Sequence, residues 1–144
     1  MATDTSTTDL LATLDTFSGS KLTHRDDLGL LIETARKHSL NKSLEELSFL
    51  AKFVSRAYGI MKRIGMHGEG YDTVAKEFSV NLENAKGLLR KLLSGTPIDV
   101  RRRFDETYLA MTATSVQNLL DLLYDLSWYK NWLIDHRPDR RETL

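Results

Sequence analysis

The four histidines of the chain have side chains that can bind a metal ion or act as a general base. Their spacing indicates that they do not come together in one site. His24 and His38 fall on one face of a predicted helix, and fourteen residues at about 1.5 Å each separate them by about 21 Å. His67 lies in a glycine-flanked loop, and His136 lies at a predicted helix end. No Glu-x-x-His or His-Glu-x-x-His motif accompanies them. We therefore expect no metal and no cofactor.

Nucleophilic and acid–base catalysis find no support in the sequence either. The chain has no cysteine, which excludes a thiolate nucleophile, and no local motif places a serine or threonine beside a histidine. Asp121 and Asp125 stand four residues apart, a spacing more typical of an exposed acidic helix face than of paired catalytic carboxylates. The glycines at Gly65–Gly70 lack the following Lys-Ser/Thr of a phosphate-binding loop. The sequence predicts that the protein is not an enzyme.

Segment 73–89 spaces its small and apolar residues as two short helices joined by a tight turn would. The residues that carry the pattern are Ala75, Phe78, Val80, Ala85 and Leu88. The segment resembles a helix-turn-helix, which implies DNA binding, with helices over residues 72–78 and about 82–93. Ser79 stands where the family pattern has glycine, and the outward positions of the second helix are poor readers of base edges: Leu82, Glu83, Lys86 and Gly87. A hairpin over residues 71–94 that only packs is the favoured interpretation, and DNA binding is the alternative.

The charge around this segment gives the DNA alternative some support. Residues 71–103 carry seven cations and four anions, a net charge of +3, and phosphate contacts require such a surplus. The side chains expected to contact phosphate are Lys86, Arg90, Arg101, Arg102 and Arg103. The interpretation that the sequence favours is that carboxylates within the protein pair with these cations.

The C-terminal helix combines acidic and apolar character. Residues 104–136 carry five acids and one base, and apolar residues occupy nearly the whole circumference from Val116 to Ile134. Such a helix lies either at the centre of a bundle or against a partner. Its one polar sector contains Gln117, Asn118, Asp121 and Asp125, with Tyr124, Trp128 and Trp132 inside or beside it. Carboxylates next to large aromatic rings are typical of a surface that binds arginine or lysine.

The predicted helix over residues 43–64 offers a complementary surface. Its apolar residues fall within one broad arc, and Lys52, Arg56 and Arg63 line the opposite side. We expect this basic stripe to meet the acidic sector of the C-terminal helix, whose interface residues are Asp121, Tyr124, Asp125, Trp128 and Trp132. The contact forms either within one chain or across the symmetric interface of a homo-oligomer.

The elements that must position these side chains are all helices. Only two prolines occur, Pro97 and Pro138, and no alternating apolar pattern predicts a strand. We expect an all-α fold, a compact bundle of about five or six helices with a long C-terminal helix. That last helix starts near residues 99–105, and segment 66–70 interrupts the chain between two earlier helices.

Local signals predict where the first helices begin. Thr23 with Asp26, and Ser43 with Glu46, have the spacing of capping boxes at the starts of two long helices. A short amphipathic helix is predicted over residues 10–17. We expect the two ends of the chain, residues 1–9 and 138–144, to be mobile.

The composition fits a single globular domain over residues 1–144, with 41% hydrophobic and 28% charged residues. Lysine plus arginine equals aspartate plus glutamate, 20 against 20, so no global field attracts nucleic acid or anionic lipid. The lack of cysteines, of a signal-peptide pattern and of a membrane span predicts a cytoplasmic protein. We expect a non-enzymatic helical protein-interaction module that self-associates through its C-terminal helix. The alternative is a helix-turn-helix DNA-binding regulator that dimerises through the same helix.

Overall fold

The computed structural model describes residues 23–136, and the side chains of residues 23–127 within that range. This part of the chain is all-helical and contains no strand, which confirms the predicted fold class. Its five α-helices are α1 (Arg25–Lys37), α2 (Asn41–Ile64), α3 (Tyr71–Leu93), α4 (Ile98–Phe104) and α5 (Ala113–His136). The helix predicted over residues 10–17, and the ends predicted to be mobile, lie outside the described residues.

Both predicted capping boxes are wrong. Helix α1 begins at Arg25 with His24 as its N-cap, and α2 begins at Asn41 with Leu40 as its N-cap; neither cap residue makes a side-chain hydrogen bond. The N–H of Leu44 already donates to the carbonyl of Leu40, at 3.1 Å, so the first turn of α2 forms ahead of Ser43. Ser43 is buried inside the helix. No side-chain cap therefore marks the start of α2, where Leu40 and Leu44 pack against the core.

Two glycines make the turn that separates α2 from α3. Gly65 follows α2 with φ 82°, and its N–H donates to the carbonyl of Met61 at 2.9 Å. Gly70 precedes α3 with φ 83°. Positive φ is easily adopted only without a Cβ, so these residues end one helix and allow the next to run back antiparallel. The predicted interruption at residues 66–70 is confirmed.

Helix α3 is continuous from Tyr71 to Leu93, so the predicted helix-turn-helix hairpin is wrong. No glycine or proline occurs near the expected turn, and the apolar period of 3.6 residues continues through it. Leu82, expected to face outward, is 7% exposed and joins the buried face of the helix with Ala85 and Leu89. Val80, expected to be an apolar anchor, is 54% exposed. Packing along the whole face of α2 thus favours one long helix over two short ones.

The predicted C-terminal helical region is divided into two parts. Pro97 precedes α4, and a π-helical turn over Asp105–Leu109 follows that helix. The backbone then becomes extended at Ala110, and α5 begins after Thr112, whose hydroxyl accepts a hydrogen bond from the N–H of Ser115 at 3.0 Å. This side-chain cap is the local signal that starts α5.

Helix α5 packs against α2, against the π-helical turn and against α1. Five of its leucines lie in the core: Leu119, Leu120, Leu122, Leu123 and Leu126. The apolar circumference of its described part is therefore used inside the bundle. None of the described helices is both long enough and apolar enough to span a bilayer.

Candidate protein-interaction groove

The structure divides the five cations that the sequence grouped as phosphate contacts. Arg90, near the end of α3, and Arg101 and Arg102, on α4, converge on one open groove. Lys86 and Arg103 do not line it. Pairing within the protein therefore accounts for some of these cations, and phosphate contact by the others stays a prediction.

Lys86 is buried, so its expected role as a phosphate contact is wrong. Its side chain is only 6% exposed, and its ammonium forms an ion pair with Glu83, Nζ to Oε2, at 3.3 Å. The residue lies four positions after Leu82 and three before Leu89, at the edge of the buried face of α3. Its aliphatic stem packs there while the charge reaches a carboxylate one turn earlier.

Arg103 is paired within the protein but stays half exposed, so its expected contact with phosphate stays a prediction. One guanidinium nitrogen lies 2.7 Å from Oδ1 of Asp27 on α1, and the guanidinium carbon lies 5.0 Å from the ring centroid of Phe104. The pair joins α4 to the first turn of α1. An internal carboxylate thus neutralises this cation.

The groove forms where the end of α3 meets α4. Thr96 closes the connection, with its hydroxyl donating to the carbonyl of Leu93, and Pro97 starts the next helix in a new direction. The resulting space has a volume of about 450 Å³ and is open to solvent. Three apolar residues line it beside its polar side chains: Leu93 and Leu109 are buried, and Ile98 is 63% exposed.

The three guanidinium groups at the groove have no ion-pair partner among the described residues. Arg90 lies in the last turn of α3, and Arg101 and Arg102 lie in the last turn of α4. The negative end of the α3 dipole favours a cation at the position of Arg90. Asp105 is the one carboxylate that lines the groove, and it too is unpaired among those residues.

A second polar cluster, between α1, the π-helical turn and α5, connects the helices internally. The Tyr108 hydroxyl donates a short hydrogen bond to Asp27, and its ring meets the His24 ring edge-on at 5.2 Å between centroids. Burial, strengthened by the bond to Asp27, raises the pKa of the Tyr108 phenol far above its usual range. Nε2 of His24 is buried there without a hydrogen-bond partner among the described groups.

Asp125 belongs to the same cluster, so its expected place in an intermolecular interface is wrong. It is 4% exposed, and its Oδ2 accepts a hydrogen bond from the backbone N–H of His24 at 3.2 Å. Burial raises the pKa of Asp125, and the hydrogen bond from His24 opposes that rise. Asp125 was predicted to lie within the polar sector, but it faces inward because α1 packs on that side of α5.

The other predicted interface residues lie at the surface. Asp121 is half-buried and accepts a hydrogen bond from the Gln117 amide at 3.0 Å, whereas Tyr124 is 52% exposed. The basic side chains that form the stripe on α2 are exposed: Lys52, Arg56 and Arg63. No ion pair among the described residues joins any of them to Asp121 or Asp125. The basic stripe of α2 and the acidic sector of α5 therefore do not meet within the described part of one chain. The side chains of Trp128 and Trp132 lie outside the described residues.

Sequence reasoning missed the apolar lining of the groove and most of the internal polar cluster. Pro97 followed by Ile-Asp-Val-Arg-Arg-Arg contains a signal for the groove, because a proline that starts a short helix after Leu93 brings Ile98 beside it. No local signal identifies Asp27 with Tyr108, which lie 81 residues apart. No group of three potential metal-ligating side chains occurs among the described residues.

Comparison with known proteins finds no matching family model, no matching curated protein and no matching solved structure. The functional argument therefore rests on the geometry of the groove.

Proposed function

We propose that the protein is a non-enzymatic helical interaction module whose groove binds an acidic, amphipathic segment of a partner protein. One observation carries the proposal. Three guanidinium groups without an ion-pair partner in the described part of the chain line one groove with the exposed side chain of Ile98: Arg90, Arg101 and Arg102.

The chemistry of the lining selects such a segment. Arginine binds carboxylates through paired N–H groups, and Ile98, which is 63% exposed, offers apolar surface to a leucine or phenylalanine of the partner. An amphipathic helix presents carboxylates and apolar side chains on neighbouring positions, so it can contact the arginines and the apolar side chain of the groove together. A nucleic-acid backbone would use the charges but leave the exposed side chain of Ile98 uncovered.

The non-enzymatic part of the proposal rests on which side chains line the groove. Ser94 is the hydroxyl residue in the lining, and its Oγ donates to the carbonyl of Lys91 at 2.9 Å. No histidine lines the groove to act as its general base. The arginines and Ile98 provide charge and binding surface rather than a nucleophile.

A labelled 18-residue peptide with leucines on one helical face and glutamates on the other tests the proposal by fluorescence anisotropy. Exposed ion pairs contribute about 0.2–1 kcal/mol each, so the Arg101→Ala/Arg102→Ala variant should bind about three- to tenfold more weakly. Replacing Arg63, an exposed cation at the far end of α2, with alanine should leave the affinity unchanged.

Two further peptides show whether both features of the groove are used. A peptide of the same composition with its leucines scattered around the helix should bind more weakly, and one with lysine in place of glutamate should not bind. Equal binding of all three peptides, or no binding of the first at 100 μM, would overturn the proposal.

The second candidate is self-association through a long C-terminal helix. Tyr124 on α5 supports it, because its side chain is 52% exposed and tyrosine is enriched among the residues that contribute most to binding energy at interfaces. The two candidates use different surfaces and are compatible.

A further inference from the structure

The groove contains one carboxylate, which repels the anions that its arginines attract. Asp105 lines it together with Arg90, Arg101 and Arg102. Asp105 directly follows α4, and its N–H donates to the carbonyl of Arg101, so one helical turn separates the two residues. It is exposed and forms no ion pair or side-chain hydrogen bond among the described residues.

We propose that Asp105 makes the groove selective, favouring a protein segment with a few spaced carboxylates over a uniformly anionic polymer such as duplex DNA or heparin. This inference rests on the proposed function, because it concerns the partner of the same groove. Asp105 supplies the repulsive element that specificity requires in addition to attraction.

The two classes of ligand distribute their negative charge differently. Duplex DNA carries one negative charge per about 1.7 Å of helix axis, so a duplex whose phosphates contact the three arginines also brings negative charge close to Asp105, which lines the same groove. A peptide can place an apolar residue, a backbone N–H or a lysine opposite this carboxylate. The same residue therefore opposes one ligand and is neutral or favourable toward the other.

The position of Asp105 makes this role separable from folding. Its side chain is exposed, whereas the buried contacts of this turn come from Phe104, Tyr108 and Leu109. Asp99 provides a matched control, since it is an exposed aspartate of α4 that does not line the groove. Replacing either residue with asparagine removes one negative charge and changes the net charge of the protein by the same amount.

The experiment compares the wild type with the Asp105→Asn and Asp99→Asn variants against two probes. One is a labelled 20-base-pair DNA duplex titrated at several salt concentrations, and the other is the acidic amphipathic peptide described above. Asp105→Asn should tighten DNA binding about three- to tenfold at about 50 mM salt and should make log K fall more steeply with log salt by about one. Asp99→Asn should change DNA binding less than twofold.

The ratio of peptide affinity to DNA affinity should therefore fall in the Asp105→Asn variant alone. Unchanged DNA binding in that variant, or an equal gain in Asp99→Asn, would overturn the inference even if the wild type binds the peptide. Failure of the wild type to bind the peptide would overturn the proposed function and this inference with it. Heparin retention of the three proteins provides a second readout that involves no peptide.

Discussion

The carboxylate of Asp125 accepts a hydrogen bond from the backbone N–H of His24, a residue 101 positions earlier in the chain. His24 is the N-cap of α1, and its own side chain does not cap that helix. Helix α5 therefore supplies the acceptor that a glutamate at the N3 position of a capping box would otherwise provide for this N–H. The helix dipole favours a negative charge at this end, whereas burial disfavours it, and these opposing effects meet at Asp125.

Asp125 makes the stability of the protein depend on pH in a direction that can be tested. Its pKa is raised in the folded state, mainly by burial, so the folded protein binds this proton more tightly than the unfolded chain does. Stability from this group is then fully present below the unfolded pKa of about 3.9 and is lost as the pH rises through the folded pKa. In urea denaturation between pH 3 and 8, the Asp125→Asn variant should gain stability relative to the wild type as the pH rises.

The size of this gain should be about 1.4 kcal/mol for each unit by which folding raises the pKa of Asp125. Three titratable groups surround the carboxylate and remain in both proteins: His24, Tyr108 and Asp121. Asp99→Asn, at an exposed position on α4, controls for the loss of one charge. A difference between wild type and Asp125→Asn that is constant across the pH range would show that the carboxylate is not penalised by burial.

Tyr108 should contribute to stability through its hydroxyl as well as its ring. Tyr108→Phe keeps the ring contacts with His24 and Phe104 but removes the hydrogen bond to Asp27. Hydrogen bonds to charged groups contribute about 1.5–3 kcal/mol, and Asp27 retains Arg103, so we expect a loss near the lower value. Chemical denaturation at pH 7 measures it, and an unchanged unfolding free energy would exclude this role for the hydroxyl.

The ends of the helices were predictable where a backbone signal is local. Glycine allows positive φ at its own position, and proline fixes φ. Three such residues lie at the helix boundaries that the sequence indicated: Gly65, Gly70 and Pro97. The starts of α1 and α2 were not predictable in this way. Long-range packing and the carboxylate of Asp125 replace the local caps there, and no short window of sequence contains that information.

The continuity of α3 can be tested at Ser79, which lies in the middle of the helix and is exposed. In a helix-turn-helix, glycine at this position would be neutral or favourable. In a continuous helix, Ser79→Ala should stabilise the protein, Ser79→Gly should be about 1 kcal/mol less stable than that variant, and Ser79→Pro should cost about 3 kcal/mol or more. Thermal unfolding of the three variants decides between the two structures, since a turn would reverse the order of alanine and glycine.

The sequence identified the cations of this region, but it did not show which of them line the groove and which are buried or paired within the protein. Lys86 and Arg90 stand one turn apart, and a small difference in helical position buries the first and exposes the second. Arg102 and Arg103 are adjacent, yet only Arg103 faces a carboxylate, on a helix 76 residues away in sequence. Such assignments depend on how the helices pack together, which charge counts along the sequence do not reveal.

The different positions of Arg90 and Lys86 predict how their alanine variants affect polyanion binding. We expect no sequence-selective complex with duplex DNA at about 150 mM salt. Weak retention on heparin should fall in Arg90→Ala, because that side chain lines the groove, and should not fall in Lys86→Ala. Lys86→Ala should instead lower the unfolding free energy by about 1 kcal/mol, since it removes a buried aliphatic stem. Equal loss of retention in both variants would mean that the two cations share one binding face.

Self-association through the C-terminal helix should appear in sedimentation velocity at micromolar concentration as a dimer or larger species. Stable homodimers commonly bury about 2,000 Å² or more, and the leucines of α5 that face the core are not available for such a contact. The surface left on the described part of α5 includes Tyr124, so Tyr124→Lys should shift the protein toward the monomer by placing a charge in the interface. Met111→Lys, at a 93% exposed position just before α5, should not change the sedimentation coefficient. A monomer in the wild type at high concentration would refute self-association, and it would leave the apolar circumference of α5 explained by the core of a single chain.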